Sequence, residues 1–209
     1  STFRKGAKVS DSYSAYYEYE HTPEYQAVDL FKTLTLAIST EKLSAITWYE
    51  LKDLPPSEGV IGDNDNNRFL GVAYPDWKDK PAAKSLEFFN SLFSQKYKSI
   101  DDKVYLISPI GFDSRAHAFQ MEDGNVVVVA WLQTSVPGRQ GNDKSGMVKD
   151  SRTEKVNVVI PLELKGKAVL YDELGAEKAF TGIKSEKGST TLIDVKLDGG
   201  KIAIIKIGK

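Results

Sequence analysis

Apolar residues recur at helical spacing in two stretches of this chain and at short, strand-like spacing in several others. After Thr22, residues Ala27, Leu30, Phe31, Leu34, Ala37 and Ile38 fall on one face of a helix. Its start is well marked: Thr22 suits the N-cap, Pro23 the first helical position, and Glu24 places negative charge at the positive end of the helix dipole. A second amphipathic helix is predicted over Lys80 to Phe93, with Pro81 at its start and Ala82, Leu86, Phe89, Leu92 and Phe93 on one stripe. Between them, Ser44 to Glu50 is a short run of β-branched and aromatic residues, the order of a βα unit. Asp53 to Arg68, with Pro55-Pro56, Gly59, Gly62 and an Asn/Asp run, is an irregular excursion, and Phe69 to Tyr74 returns as a short strand.

After Ser99 the period changes to that of strands. Candidates are Val104 to Ser108, Ala116 to Met121, Asn125 to Gln133, Lys155 to Ile160, Lys167 to Tyr171, Thr190 to Val195 and Lys201 to Ile207. Glu122-Asp123-Gly124-Asn125 is a hairpin signal, and Asp198-Gly199-Gly200 is read as another. Short strands punctuated in this way predict an antiparallel β-sandwich, with Val136 to Thr153 as a long loop within it. A boundary near Tyr97 to Asp102 divides the chain into residues 1–98 and 99–209. The fold class expected is α/β plus all-β.

Composition narrows the partners more than the fold. The 28 basic and 29 acidic residues leave a formal charge of −1, so the global positive field that favours nucleic acid or anionic membranes is absent. Neutral or weakly charged partners fit better. The lack of cysteine excludes disulfides and thiolate chemistry. The longest apolar run, Val126 to Leu132, is far short of the ~20 residues of a membrane span. Ser1 is neither an initiator Met nor followed by a basic-apolar leader, so a processed or truncated start is expected. The residues do not decide the compartment, and an extracellular or periplasmic one is favoured.

The order of motifs resembles a known family. A helix, then Trp48-Tyr49-Glu50-Leu51-Lys52-Asp53, a Gly/Asn/Asp loop, Phe69-Leu70-Gly71-Val72, Lys80-Pro81-Ala82 and a β-sandwich is similar to the C-terminal part of clan A glycoside hydrolases, nearest the family 39-like group. The resemblance implies the last strand and helices of a (β/α)8 barrel followed by a β-sandwich. It implies retaining hydrolysis of a β-glycosidic bond in a polysaccharide or oligosaccharide. In that family a Glu after strand four is the acid/base and a Glu ending strand seven the nucleophile. Ser1-Thr2 look like the loop just after strand seven, so both catalytic carboxylates are expected to be missing here. One parallel strand and two helices can neither close a barrel nor bury their apolar faces alone, so a second polypeptide carrying the remaining strands, and with them the sheet under the helices, is expected.

The candidate chemistry is therefore binding rather than catalysis. Retaining glycosidases hold two carboxyl groups about 5 Å apart, and the sequence-adjacent pairs Glu50/Asp53, Glu18/Glu20 and Asp63/Asp65 read as solvated surface instead. Trp48 and Tyr49 alternate across the predicted strand, so only one of them faces the barrel interior. By the resemblance, Tyr49 is the aromatic floor of a sugar subsite, with Trp48 next, and Glu50 and Asp53 shaping the cleft. Tyr16 and Tyr17, in a loop with Tyr13, Tyr19 and His21, are candidates for outer subsites. His21 and His117 are too far apart to suggest a metal pair. Asp63 to Asn67 has alternating oxygen ligands, but Arg68 and Tyr74 stand where a calcium loop needs Gly and Glu, so no metal and no cofactor is expected. Trp131, inside the most apolar run, is assigned to packing against the barrel part. The alternative function is a non-catalytic carbohydrate-binding or assembly protein that uses the β-sandwich.

Overall fold

The computed structural model describes residues 22–55, 68–133 and 150–209. Helix α1 spans Pro23–Ser39 and α2 spans Pro81–Leu92. Thr22 caps α1 as its sequence predicts, its side-chain oxygen accepting the Tyr25 N–H at 3.1 Å. Ten strands follow: β1 (Tyr97–Ser99), β2 (Tyr105–Ile107), β3 (Ser114–Met121), β4 (Val126–Leu132), β5 (Thr153–Ile160), β6 (Ala168–Tyr171), β7 (Glu177–Phe180), β8 (Ile183–Glu186), β9 (Ser189–Asp198) and β10 (Ala203–Ile207). They form two antiparallel sheets, one of six strands ordered β1-β3-β4-β10-β6-β7 and one of four ordered β2-β5-β9-β8. A mixed α/β region thus precedes an all-β antiparallel region.

Strand β4 explains how the layers stack. Alternate side chains of a strand point to opposite faces. Val126, Val128, Ala130 and Leu132 enter the core between the two sheets, with Val156, Val158, Leu192 and Ile205. Val127, Val129 and Trp131 point the other way, into a second core with Leu30 and Phe31 of α1 and Phe89 of α2. All seven residues are buried because both faces of the strand are covered. The six-stranded sheet is therefore the middle layer of three, and Trp131 packs beneath the helices as its setting predicts.

Two expectations change. The sheet under the helices was expected from a partner, yet the sandwich itself covers their apolar stripe, with Phe31 and Phe89 edge to face at 5.0 Å. Ser44 to Tyr49 forms no regular strand, and Ile46 is 39% exposed. The parallel pairing falls just beyond it, at Glu50 to Asp53, where Lys52 bridges Ala73. Among the described residues this segment has no neighbour on its other edge to complete its hydrogen bonds, and its regular pairing is confined to the edge that faces 70–73.

Asp198-Gly199-Gly200 is also not a hairpin. Strands β9 and β10 belong to different sheets, so this turn, with Gly200 at φ +70°, carries the chain across the sandwich. The Glu122 to Asn125 turn does close the β3–β4 hairpin, and its Gly124 takes φ +86°.

Candidate functional site

The short parallel ladder is fixed by one buried ion pair. Lys80, at the N-cap of α2, places its Nζ 2.8 Å from Asp53 Oδ1, with side-chain exposures of 0% and 1%. The same carboxyl oxygen accepts the Gly71 N–H at 2.9 Å, and Lys80 Nζ also donates to the carbonyls of Gly71 and Phe69 at 2.9 and 3.1 Å. Burial pushes the Asp53 carboxyl up, opposed by Lys80 and the Gly71 N–H. Burial pushes the Lys80 ammonium down, opposed by Asp53 and by the charge of Glu50. At this distance, and with three further hydrogen bonds, the charged pair is satisfied. Gly71 is obligatory here: a Cβ would fall on the backbone of Lys52 and Asp53.

From the helix side, the fully buried Gln26 donates through Nε2 to the carbonyls of Leu70 and Gly71, both at 3.0 Å. So α1, the 50–54 segment, the 69–73 segment and the start of α2 are locked together by polar contacts. This rigid corner carries the residues singled out for sugar contact. Tyr49 is 73% exposed beside it, and Trp48 and Glu50 are half-buried. The Tyr49–Glu50 peptide bond is cis. Asp53 faces inward and is wholly engaged with Lys80, so it shapes this corner through the loop it holds, and it cannot serve with Glu50 as a free carboxylate pair. Tyr16, Tyr17 and the Asp63 to Asn67 run lie outside the described residues. Among the described residues no group of three or more His, Asp or Glu could hold a metal ion.

Sequence reasoning missed four residues of this corner. Lys80 and Gln26 are polar residues at helix positions where the neighbouring apolar stripe turns inward, and that placement was the available signal. Trp77 and Lys52 were missed as well: Lys52 Nζ sits over the Trp77 ring, 4.8 Å from its centroid, and Trp77 is 63% exposed. A tryptophan in a Tyr-Pro-Asp-Trp turn, with no apolar periodicity to bury it, was the signal there.

A second polar cluster lies in the sandwich. Glu154, 1% exposed, accepts from Ser108 Oγ at 2.6 Å, the Ile110 N–H at 2.8 Å, Ser114 Oγ at 3.1 Å and the Gly111 N–H at 3.3 Å. It holds the β2–β3 connection to β5. His117 Nδ1 lies 2.6 Å from Asp101 Oδ2, and its ring stacks on Trp131 at 5.3 Å. Both clusters are fully accounted for by packing.

No family model matches the chain, and no curated protein matches it. Among solved structures it is similar to a family 39 glycoside hydrolase from the gut symbiont Bacteroides cellulosilyticus WH2, with 16% identity and a TM-score of 0.51 over 87% of this chain and 30% of that one. An alpha-L-fucosidase isoenzyme 2 from Paenibacillus thiaminolyticus is also similar, at 11% identity and a TM-score of 0.33 over 49% of this chain and 15% of that one. So is a GH51 arabinofuranosidase from Xanthomonas axonopodis pv. citri, at 13% identity and a TM-score of 0.26 over 46% of this chain and 19% of that one. The last two likenesses are too partial to carry an argument. The chain spans 30% of the length of the family 39 structure. In fold, it is distantly similar to part of a family 39 glycoside hydrolase.

Proposed function

We propose that this chain is the C-terminal portion of a retaining polysaccharide glycoside hydrolase, contributing one wall of the substrate cleft while both catalytic carboxylates lie on other strands of the barrel. The observation that carries this reading is the likeness to a family 39 glycoside hydrolase over 87% of the chain, with only 30% of that structure covered. The local chemistry supports it. The Glu50–Asp53 segment has a partner on one edge, at 70–73. Around it Leu43, Ile46 and Leu51 are 59%, 39% and 66% exposed, apolar side chains of the kind that a second polypeptide or further barrel strands would cover. Tyr49 would then stack on sugar, with Trp48 the second candidate for that place and Glu50 bonding its hydroxyls.

The test is an intact-mass and light-scattering measurement on the natively purified protein, with reducing-sugar assays on a panel of β-linked polysaccharides. The expected result is no hydrolysis by this chain alone, and hydrolysis by a species that also contains the remaining strands. A lone, well-behaved monomer as the native species would count against the reading. The alternative, a non-catalytic carbohydrate-binding protein, has one observation of its own. Tyr105 and Ile107 of β2 are 66% and 51% exposed, and Tyr105 pairs with Val159 of β5 on the outer face of the smaller sheet.

A further inference from the structure

We propose that the cavity at the C-terminal end of α1 takes a lysine or arginine side chain of the second polypeptide that carries the remaining barrel strands, with Glu41 as its charge partner; this rests on the reading above and names the chemistry of that partner.

The cavity has an apolar wall and one acid. It encloses about 260 Å³ and is lined by Ala37 and Ile38 of α1, by Glu41, Leu43 and Ile46, and by Tyr97 of β1. It is not the corner singled out for sugar contact: Gln26 lies in the first turn of α1 and Ala37 in the last, about 16 Å away along the axis. Leu43 and Ile46, both exposed, belong instead to the apolar surface assigned above to a second polypeptide. The ring of Tyr97 is fixed from behind, edge to face with Phe93 at 5.5 Å and with Phe119 at 5.8 Å, so this wall is preformed.

Glu41 is held in this cavity by the end of the helix. It has φ +53°, at the position just past α1 where glycine is usual, and its N–H donates to the Ile38 carbonyl at 3.2 Å. Its Oε1 accepts the Ser99 N–H at 2.6 Å, on the outer edge of the six-stranded sheet. That bond engages one oxygen and leaves the negative charge without a cation. The segments around the cavity, 36–46 and 96–100, are all described, and neither Lys42 nor Lys98 makes an ion pair with Glu41. The Tyr97 phenol responds to that charge: burial pushes it up, and Glu41 pushes it further. An occupant must match both halves of the cavity. An acidic group would be repelled, and a purely apolar one would strip water from the carboxylate without replacing it. A lysine or arginine has an aliphatic stem to lie along Ala37, Ile38, Leu43 and Ile46, and a cation at its tip to donate charge-assisted hydrogen bonds to the carboxylate.

The test is the association of the natively purified complex, followed by light scattering for wild type, Glu41→Gln, Glu41→Lys and Leu43→Ser between about 0.05 M and about 1 M sodium chloride. The wild-type complex should weaken about tenfold across that range. Glu41→Gln keeps an oxygen for the Ser99 N–H, so it should melt with wild type, yet associate about tenfold more weakly at low salt and with a much shallower salt dependence. Glu41→Lys should associate more weakly still. Leu43→Ser should weaken the complex and keep the salt dependence, since it removes stem contacts and leaves the charge pair. A complex that contains the remaining strands and is indifferent to Glu41→Gln overturns the inference and leaves the glycoside hydrolase reading standing. A homodimer of this chain that responds to Glu41→Gln also overturns it, by placing a second copy in the cavity. Absence of any second polypeptide overturns both.

Discussion

Lys80 and Asp53 stand 27 residues apart in sequence and 2.8 Å apart in space, shut off from solvent at the point where helix α2 begins. Their contact ties the irregular loop to the helix. Removing one partner leaves the other as an uncompensated buried charge. Lys80→Met is therefore expected to destabilise the protein by about 3–5 kcal/mol, read as a lower urea midpoint. The double variant Asp53→Leu/Lys80→Met should recover much of that loss, because no charge is then stranded.

Glu154 makes stability depend on acid. Burial by itself would raise its carboxyl, but hydrogen bonds from Ser108, Ile110, Ser114 and Gly111 outweigh that and hold it below the ordinary glutamate range. The stabilisation is fully present above the unfolded value of about 4.3 and is lost as pH falls from there through the lower folded value. Melting temperatures measured from pH 7 down to pH 3 should fall more steeply for wild type than for Glu154→Gln. Parallel curves would show that this site does not titrate as described.

Phe31 belongs to the core between the helices and the six-stranded sheet and is 0% exposed. Phe31→Ala should cost about 3–5 kcal/mol in chemical unfolding. Because the helices and β4 share that core, tryptophan fluorescence and far-ultraviolet dichroism should report one coincident transition.

Leu51 tests the assembly reading. It is 66% exposed beside the ladder edge that has no partner among the described residues, so Leu51→Asp should shift the chain's own melting by less than about 0.5 kcal/mol equivalent. Its expected effect is on association: a weakened native complex on a sizing column. An unchanged complex would place the contact with the rest of the barrel elsewhere.

The sequence made some of this structure plain and concealed the rest for identifiable reasons. The amphipathic stripes of α1 and α2 and the unbroken run of β4 are strong, local and periodic, and each appears where its pattern puts it. Strands β1, β7 and β8 were missed: Tyr97–Ser99 is three residues long, and Glu177–Phe180 and Ile183–Glu186 are polar strands at or near sheet edges, defined by pairing rather than by pattern. The Asp198 to Gly200 turn has hairpin composition, but which sheet the next strand joins is decided by distant contacts. At the candidate site, Trp48 and Tyr49 were conspicuous as aromatics. The engagement of Asp53 by Lys80 was not, because nothing local in either segment points to the other.

Burial on both faces of β4 also governs how the molecule can be divided. A cut near Tyr97 that kept only the strands would bare Phe119, Val127, Val129, Trp131 and Ile204 together, a greasy plate on the outside of the isolated piece. Such a half-molecule would be prone to clump or to seize whatever hydrophobic cover it met. The two helices are thus the cover of that plate, and whatever severs them from the strands leaves its apolar side chains facing water.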